Sequence, residues 1–122
     1  MTTHIAGIDH VQLAAPPNCE AVVRAFFGDM LGMVELTKPE KLQARGGVWF
    51  QCGAQQLHIG VEQDFVPAKK AHPAFLVRDL TRLCETLARA GYLAVEDPLP
   101  GIRRCFVFDP FGNRLEFVEL EE

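Results

Sequence analysis

The sequence predicts an α+β fold: two βαβββ modules, at about residues 5–62 and 71–121, forming curved sheets around a shared concave pocket. Three observations carry this expectation. Segments with the two-residue period of a half-buried strand and segments with helical spacing follow one another in the same order twice. The two passes are separated by a linker, Gln63 to Lys70, that contains Pro67. Ligand-type side chains stand at matching places in the two passes. The halves share little sequence, so the repeat lies in the order of elements, and such an order decides the fold.

The first strand is expected from Ile5 to Ala15, ended by Pro16-Pro17, with Val11 and Leu13 on one face and Ile8, His10, Gln12 and Ala14 on the other. Asn18 is the expected N-cap of a helix whose apolar stripe is Val22, Val23, Phe26, Phe27 and Met30, stopping at Gly32. Met33 to Thr37 reads as a short strand, and residues 38–47 as an exposed loop. Val48 to Cys52 and Gln55 to Glu62 read as strands joined by a turn at Gly53-Ala54. In the last of these, Leu57, Ile59 and Val61 oppose Gln56, His58, Gly60 and Glu62. The second pass gives a strand from Ala71 to Val77 and a helix capped by Asp79 with Leu80, Leu83, Cys84 and Leu87 inward. Strands at Tyr92 to Glu96, Arg103 to Phe108 and Arg114 to Leu120 follow, the last two joined by a turn at Asp109 to Asn113.

With 122 residues, 48% hydrophobic and 23% charged, the chain has the balance of one globular domain, residues 1–122. The net charge of −4 and the absence of any polybasic run exclude a nucleic-acid surface. No apolar run approaches the roughly 18 residues of a membrane span, and Met1 to Gly7 is not a secretory signal. The expected location is cytoplasmic, with Cys19, Cys52, Cys84 and Cys105 reduced and packed as small hydrophobes.

His10 and His72 lie in the first strands of their halves, and His58 and Glu116 in the last, with separations of 62 and 58 residues. Strand parity points His10, His58 and Glu116 away from the apolar faces that should cover the helices, and His72 opens the strand equivalent to that of His10, so the four are expected to converge on the concave face. Three imidazoles and a carboxylate suit one divalent first-row metal, Zn, Ni, Co, Mn or Fe, and spacing does not choose among them. An open position on such a metal would polarise a substrate or activate water. His4, near the chain start, is left out of this set.

Four stretches carry a family resemblance: Gly7-Ile8-Asp9-His10-Val11-Gln12-Leu13, Phe26-Phe27-Gly28-Asp29-Met30-Leu31-Gly32-Met33, His72-Pro73-Ala74-Phe75-Leu76-Val77, and Asp109-Pro110-Phe111-Gly112-Asn113-Arg114-Leu115-Glu116-Phe117. Together they resemble the vicinal oxygen chelate superfamily, which comprises glyoxalases, bleomycin-resistance proteins and dioxygenases. The resemblance implies metal ligands at His10, His58, His72 and Glu116. His58 departs from the pattern, since lactoylglutathione lyases usually carry a glutamate there, so it stands as a fourth ligand, a base or a supporting group. The implied chemistry is a lyase or isomerase reaction on a small substrate with vicinal oxygens, through a metal-stabilised enediolate, with Glu116 or His58 as catalytic base. The resemblance also implies a homodimer, with or without exchange of modules, and no membrane partner.

Gln12, Trp49, Arg103 and Arg104 are the candidate substrate contacts. The two arginines would suit a phosphonate, as in the fosfomycin-type thiol transferases that form one alternative reading. The chain has no serine and one tyrosine to complete such a site. A metal-free, bleomycin-like drug-binding protein is the other alternative, with Trp49 and Phe50 in an acidic groove. A dioxygenase is disfavoured because only His4 is spare. Glu62 stands where glutathione-using lyases tend to carry an amide, which argues against glutathione as a thiol.

Overall fold

A computed structural model describes residues 3–121. The elements follow as β1 (His10–Ala15), α1 (Glu20–Val23) widening into π-helical turns over Arg24–Met30, β2 (Val34–Leu36), α2 (Glu40–Gln43), β3 (Val48–Cys52) and β4 (Gln55–Val61). The second half has β5 (Ala74–Val77), α3 (Leu80–Arg89), β6 (Val95–Glu96), β7 (Arg104–Phe108) and β8 (Arg114–Glu119). They form two four-stranded sheets of identical topology, β1-β4-β3-β2 and β5-β8-β7-β6. In each the first strand runs parallel to the last and the other pairs are antiparallel. The predicted α+β repeat is the observed fold.

The repeat extends to register. Gln12 pairs with His58, and Ala74, in the same relation, pairs with Glu116. Trp49 opposite His58 matches Phe106 opposite Glu116. A one-residue slip would turn every side chain to the other face, so this match fixes His58 and Glu116 as equivalents.

Some boundaries differ from the sequence expectation. β1 starts at His10 rather than Ile5, because β4 begins at Gln55 and offers nothing to pair with earlier residues. β5 starts at Ala74, leaving His72 just before the strand, next to Pro73, which has no N–H to give a ladder. Residues 38–47 contain the single helical turn α2. Asn18 is not the N-cap of α1. It takes φ 64° in the turn after the two prolines, a conformation Asn tolerates, and Cys19 occupies the cap without a side-chain bond. Glu20 is instead used at long range, accepting from the Gly47 N–H at 2.7 Å, which holds its carboxyl below the usual range. Gly47 must be glycine, since φ is +85° and a Cβ there would run into the Ile59 carbonyl. Asp79 does cap α3, accepting from the Arg82 N–H at 3.1 Å.

Leu13, Phe26, Phe27, Phe50, Leu57 and Ile59 from the first half and Leu80, Leu87, Val107, Leu115 and Phe117 from the second belong to one core. Phe26 meets Tyr92 edge-on, with centroids 4.9 Å apart. Both helix-bearing faces therefore feed the same interior. The opposite sheet faces, which carry His58 and Glu116, lie outside it and expose Val34, Leu76, Val95 and Phe108.

All four cysteines are free, with Cys19 and Cys105 buried. Cys84 and Cys105 approach to 3.8 Å between sulfurs, and burial, with Cys84 adding to it, pushes the Cys105 thiol up to about 12. A thiol reagent at pH 7.5 should therefore leave Cys105 unmodified in native protein and label it in denaturant, as peptide mass mapping would show. Rapid labelling of native Cys105 would mean that α3 lifts readily from β7.

Candidate functional site

On β8, Arg114, Glu116 and Val118 alternate with the core residues Leu115 and Phe117, so Glu116 is directed away from α3. Its carboxylate is held from two sides. Oε1 lies 2.9 Å from His72 Nε2, and Oε2 lies 3.5 Å from the Arg104 guanidinium. His72 Nδ1 is 2.8 Å from the Lys70 carbonyl, which can only accept. That bond places the ring proton on Nδ1 and turns Nε2 toward Glu116. Nε2 and Oε1 then face each other as two acceptors, and a positive centre, a proton or a metal ion, satisfies both. A backbone carbonyl behind Nδ1 is the usual orienting contact of a ligating imidazole.

The equivalent face of the first sheet carries a three-ring stack. His58 lies 3.7 Å from the Trp49 ring at 3° and 4.1 Å from His10 at 18°. The stack leaves His58 only 4% exposed although it points away from the core. Its Nε2 meets the Gln56 amide oxygen at 2.9 Å, and His10 Nδ1 meets Asp9 at 2.9 Å. With those nitrogens donating, His58 Nδ1 and His10 Nε2 keep their lone pairs. Gln12 lies over Gly60, where a Cβ would come within 2.9 Å of its amide.

Burial, and next the neighbouring His10, lower the His58 pKa. The folded form thus binds this proton less well than the unfolded form. The resulting stability is present above the unfolded value, about 6.5, and is lost as pH falls through the lower folded value. Thermal melts should show stability declining below about pH 6.5, and His58→Gln should flatten that decline. An unchanged slope in the variant would assign the decline to other groups.

A cavity of about 740 Å³ lies at the junction of the modules, with Gln12 and Gln56 on one side and His72 and Asn113 on the other. Of the four predicted ligands, His72 alone lines it. His10 pairs with His58, and His72 with Glu116, but among the described residues no three His, Cys, Asp or Glu side chains gather closely enough to hold a metal. One chain thus brings the four predicted ligands together as two pairs and not as one cluster.

The predicted substrate contacts divide similarly. Trp49, Gln12 and Arg104 lie on the donor-bearing faces, and Arg104 is also bonded to Asp97 and stands 5.1 Å from the Phe106 centroid. Arg103 does not join them. It is bound to Thr81, Glu96 and Glu119 on the α3 side, so the two adjacent arginines point to opposite faces and form no common phosphonate clamp. Alternation along the sheet separates them. Sequence reasoning missed Phe106 and Arg114, whose guanidinium lies 4.1 Å from the Phe106 centroid. The signal was available, because Arg114 shares the parity of Glu116. Among the described residues no helix is long and apolar enough to cross a membrane.

Comparison with known proteins agrees with this architecture. The family model of the Glyoxalase/Bleomycin resistance protein/Dioxygenase superfamily matches residues 7–117. A glyoxalase family protein from Bacillus anthracis is 52% identical, with a TM-score of 0.93, covering 99% of this chain and 100% of that one. A glyoxalase/dioxygenase from Nostoc punctiforme shares the fold at 19% identity and a TM-score of 0.79, over 98% and 94% of the two chains. A lactoylglutathione lyase from Agrobacterium tumefaciens does so at 19% and 0.73, over 96% of each. No curated protein gives a significant match. The extent of the family match and the identity to the Bacillus protein make this chain a member of the glyoxalase/bleomycin resistance/dioxygenase superfamily.

Proposed function

We propose that the protein is a metal-dependent enzyme of the glyoxalase type, a lyase or isomerase of a small substrate with neighbouring oxygens, whose sites form between two copies of the chain. The observation that carries this reading is the oriented His72–Glu116 pair, matched in register by His10–His58. Each chain holds both halves of a four-donor set without joining them. A homodimer in which the first module of one copy faces the second module of the other would join both sets at once, which is the closure a two-fold axis provides. The exposed Val34, Leu76, Val95 and Phe108 on those faces support a partner there.

His10, His58, His72 and Glu116 would hold the ion. When bound, it would supply Lewis acidity toward the substrate oxygens. The chain's residues supply the rest. Glu116 is the candidate base, held by His72 and Arg104 in a fixed position. His58, whose pKa burial lowers, has one free lone pair, at Nδ1, and so serves either as the fourth ligand or as an alternative base there, not as both. Trp49 excludes water from one side of that ring.

Metal content and oligomeric state, measured together on tag-free protein, test the proposal. A divalent metal near one per chain, present in a dimer and lost as dilution dissociates it, is expected. A monomer that takes up no Zn, Ni, Co, Mn or Fe would overturn it.

A further inference from the structure

We propose that Arg114 is the anchor for a substrate carboxylate, so that the substrate is a small 2-hydroxy or 2-oxo acid. This rests on the site assignment above and adds the substrate class to it. Arg114 lies two residues before Glu116 on the same face of β8, a strand rise of roughly 7 Å. Phe108 is its partner across the strands, and its guanidinium sits over Phe106 at 4.1 Å. Among the described residues, Arg114 makes no side-chain hydrogen bond and no ion pair. Arg104, the other arginine on this face, is committed to Asp97 and to Glu116, and the remaining oxygen of Glu116 is committed to His72.

The face therefore contains one half-buried cation with its charge and donors unspent, fixed by an aromatic ring beneath it. A partly buried guanidinium with its donors unpaired is set to receive an anion. The repeat sharpens the contrast. The position equivalent to Arg114 in the first module is Gln56, a neutral amide that supports His58. Arg114 supports neither His72 nor Glu116. Its planar fork matches a carboxylate in two parallel bonds. A phosphate dianion would call for a second unpaired cation, which this face does not offer. With the carboxylate on Arg114, the adjacent oxygen of a 2-hydroxy or 2-oxo acid would be directed toward the His72–Glu116 pair.

The test is binding of lactate and mandelate, each against its neutral amide, by calorimetry and ligand-observed NMR on the full-length protein. The acids should bind at least tenfold more tightly than the amides. Arg114→Met should abolish that preference, and Arg114→Lys should keep part of it, with melting temperature and metal content as in wild type. Equal binding of acid and amide to wild type, no binding of either acid, or a preference that survives in Arg114→Met would overturn the inference. Metal content and sedimentation on the same samples separate it from the site assignment. A metal-loaded dimer without acid preference would refute the role of Arg114 alone. Arg114-dependent acid binding by a metal-free monomer would refute the composite metal site and leave the anion anchor standing.

Discussion

Asn113→Ala should lower the melting temperature by on the order of 10 °C, the largest stability loss expected from a single polar substitution in this chain. Asn113 is 2% exposed and ties three parts of the fold together. Its Nδ2 donates to the Ala14 carbonyl of β1 at 2.8 Å and to Asp109 at 2.9 Å, and its Oδ1 accepts from the Ala68 N–H at 3.0 Å. Asp109 also accepts from the Phe111 and Asn113 N–H groups. Burial pushes the Asp109 carboxyl up, and these donors oppose the shift. Among the described residues no buried side-chain polar atom lacks a partner, so the network has no slack. Alanine would strand an acceptor on β1, a donor in the linker and a lone pair of Asp109. Each stranded buried group costs about 1–3 kcal/mol, less where water reaches it, so about 3 kcal/mol is a fair sum. For a domain of this size that is roughly 10 °C. Calorimetry showing a fall below about 3 °C would mean that water replaces the amide at little cost.

Glu116→Gln and His72→Ala should each reduce metal affinity by a factor of about 100 or more while shifting the melting temperature of metal-free protein only slightly. The expectation follows from the charge placed at this point. Glu116 is the one carboxylate in the proposed donor set, and glutamine keeps its shape but not its charge. His72 is only partly buried, is held by the Lys70 carbonyl and Glu116, and is no part of the core, so its removal leaves no cavity there. Elemental analysis after dialysis against a weak chelator, beside melts of chelator-stripped protein, gives both quantities. Equal losses in the two measurements would make the pair a structural ion bridge between the linker and β8. In Glu116→Gln the charge of Arg104 also loses its second partner, and Asp97 alone would hold it.

Much of the fold was legible because the physics that sets it is local and periodic. Alternation along β4 and β8 separates Leu57 and Ile59 from His58, and Leu115 and Phe117 from Glu116. Those parities followed from sequence, as did the Asp79 cap and the Asp109–Asn113 turn. Asn18 was misread because Asn suits both an N-cap and a left-handed turn, and local sequence does not rank the two. Arg103 and Arg104 were grouped as neighbours in sequence, although a strand sends neighbours to opposite faces.

The sequence by itself determined the two-module order and the faces of the strands that carry His10, His58 and Glu116. Only the tertiary structure decided which donors meet. Both modules direct their apolar helix-bearing faces into one core, and that burial is the dominant favourable term in folding. On the opposite faces His10 meets His58 and His72 meets Glu116, and the two pairs do not join. No periodicity along the chain encodes that choice, because the way two sheets pack is set by the sum of contacts between them and not by the pattern within either.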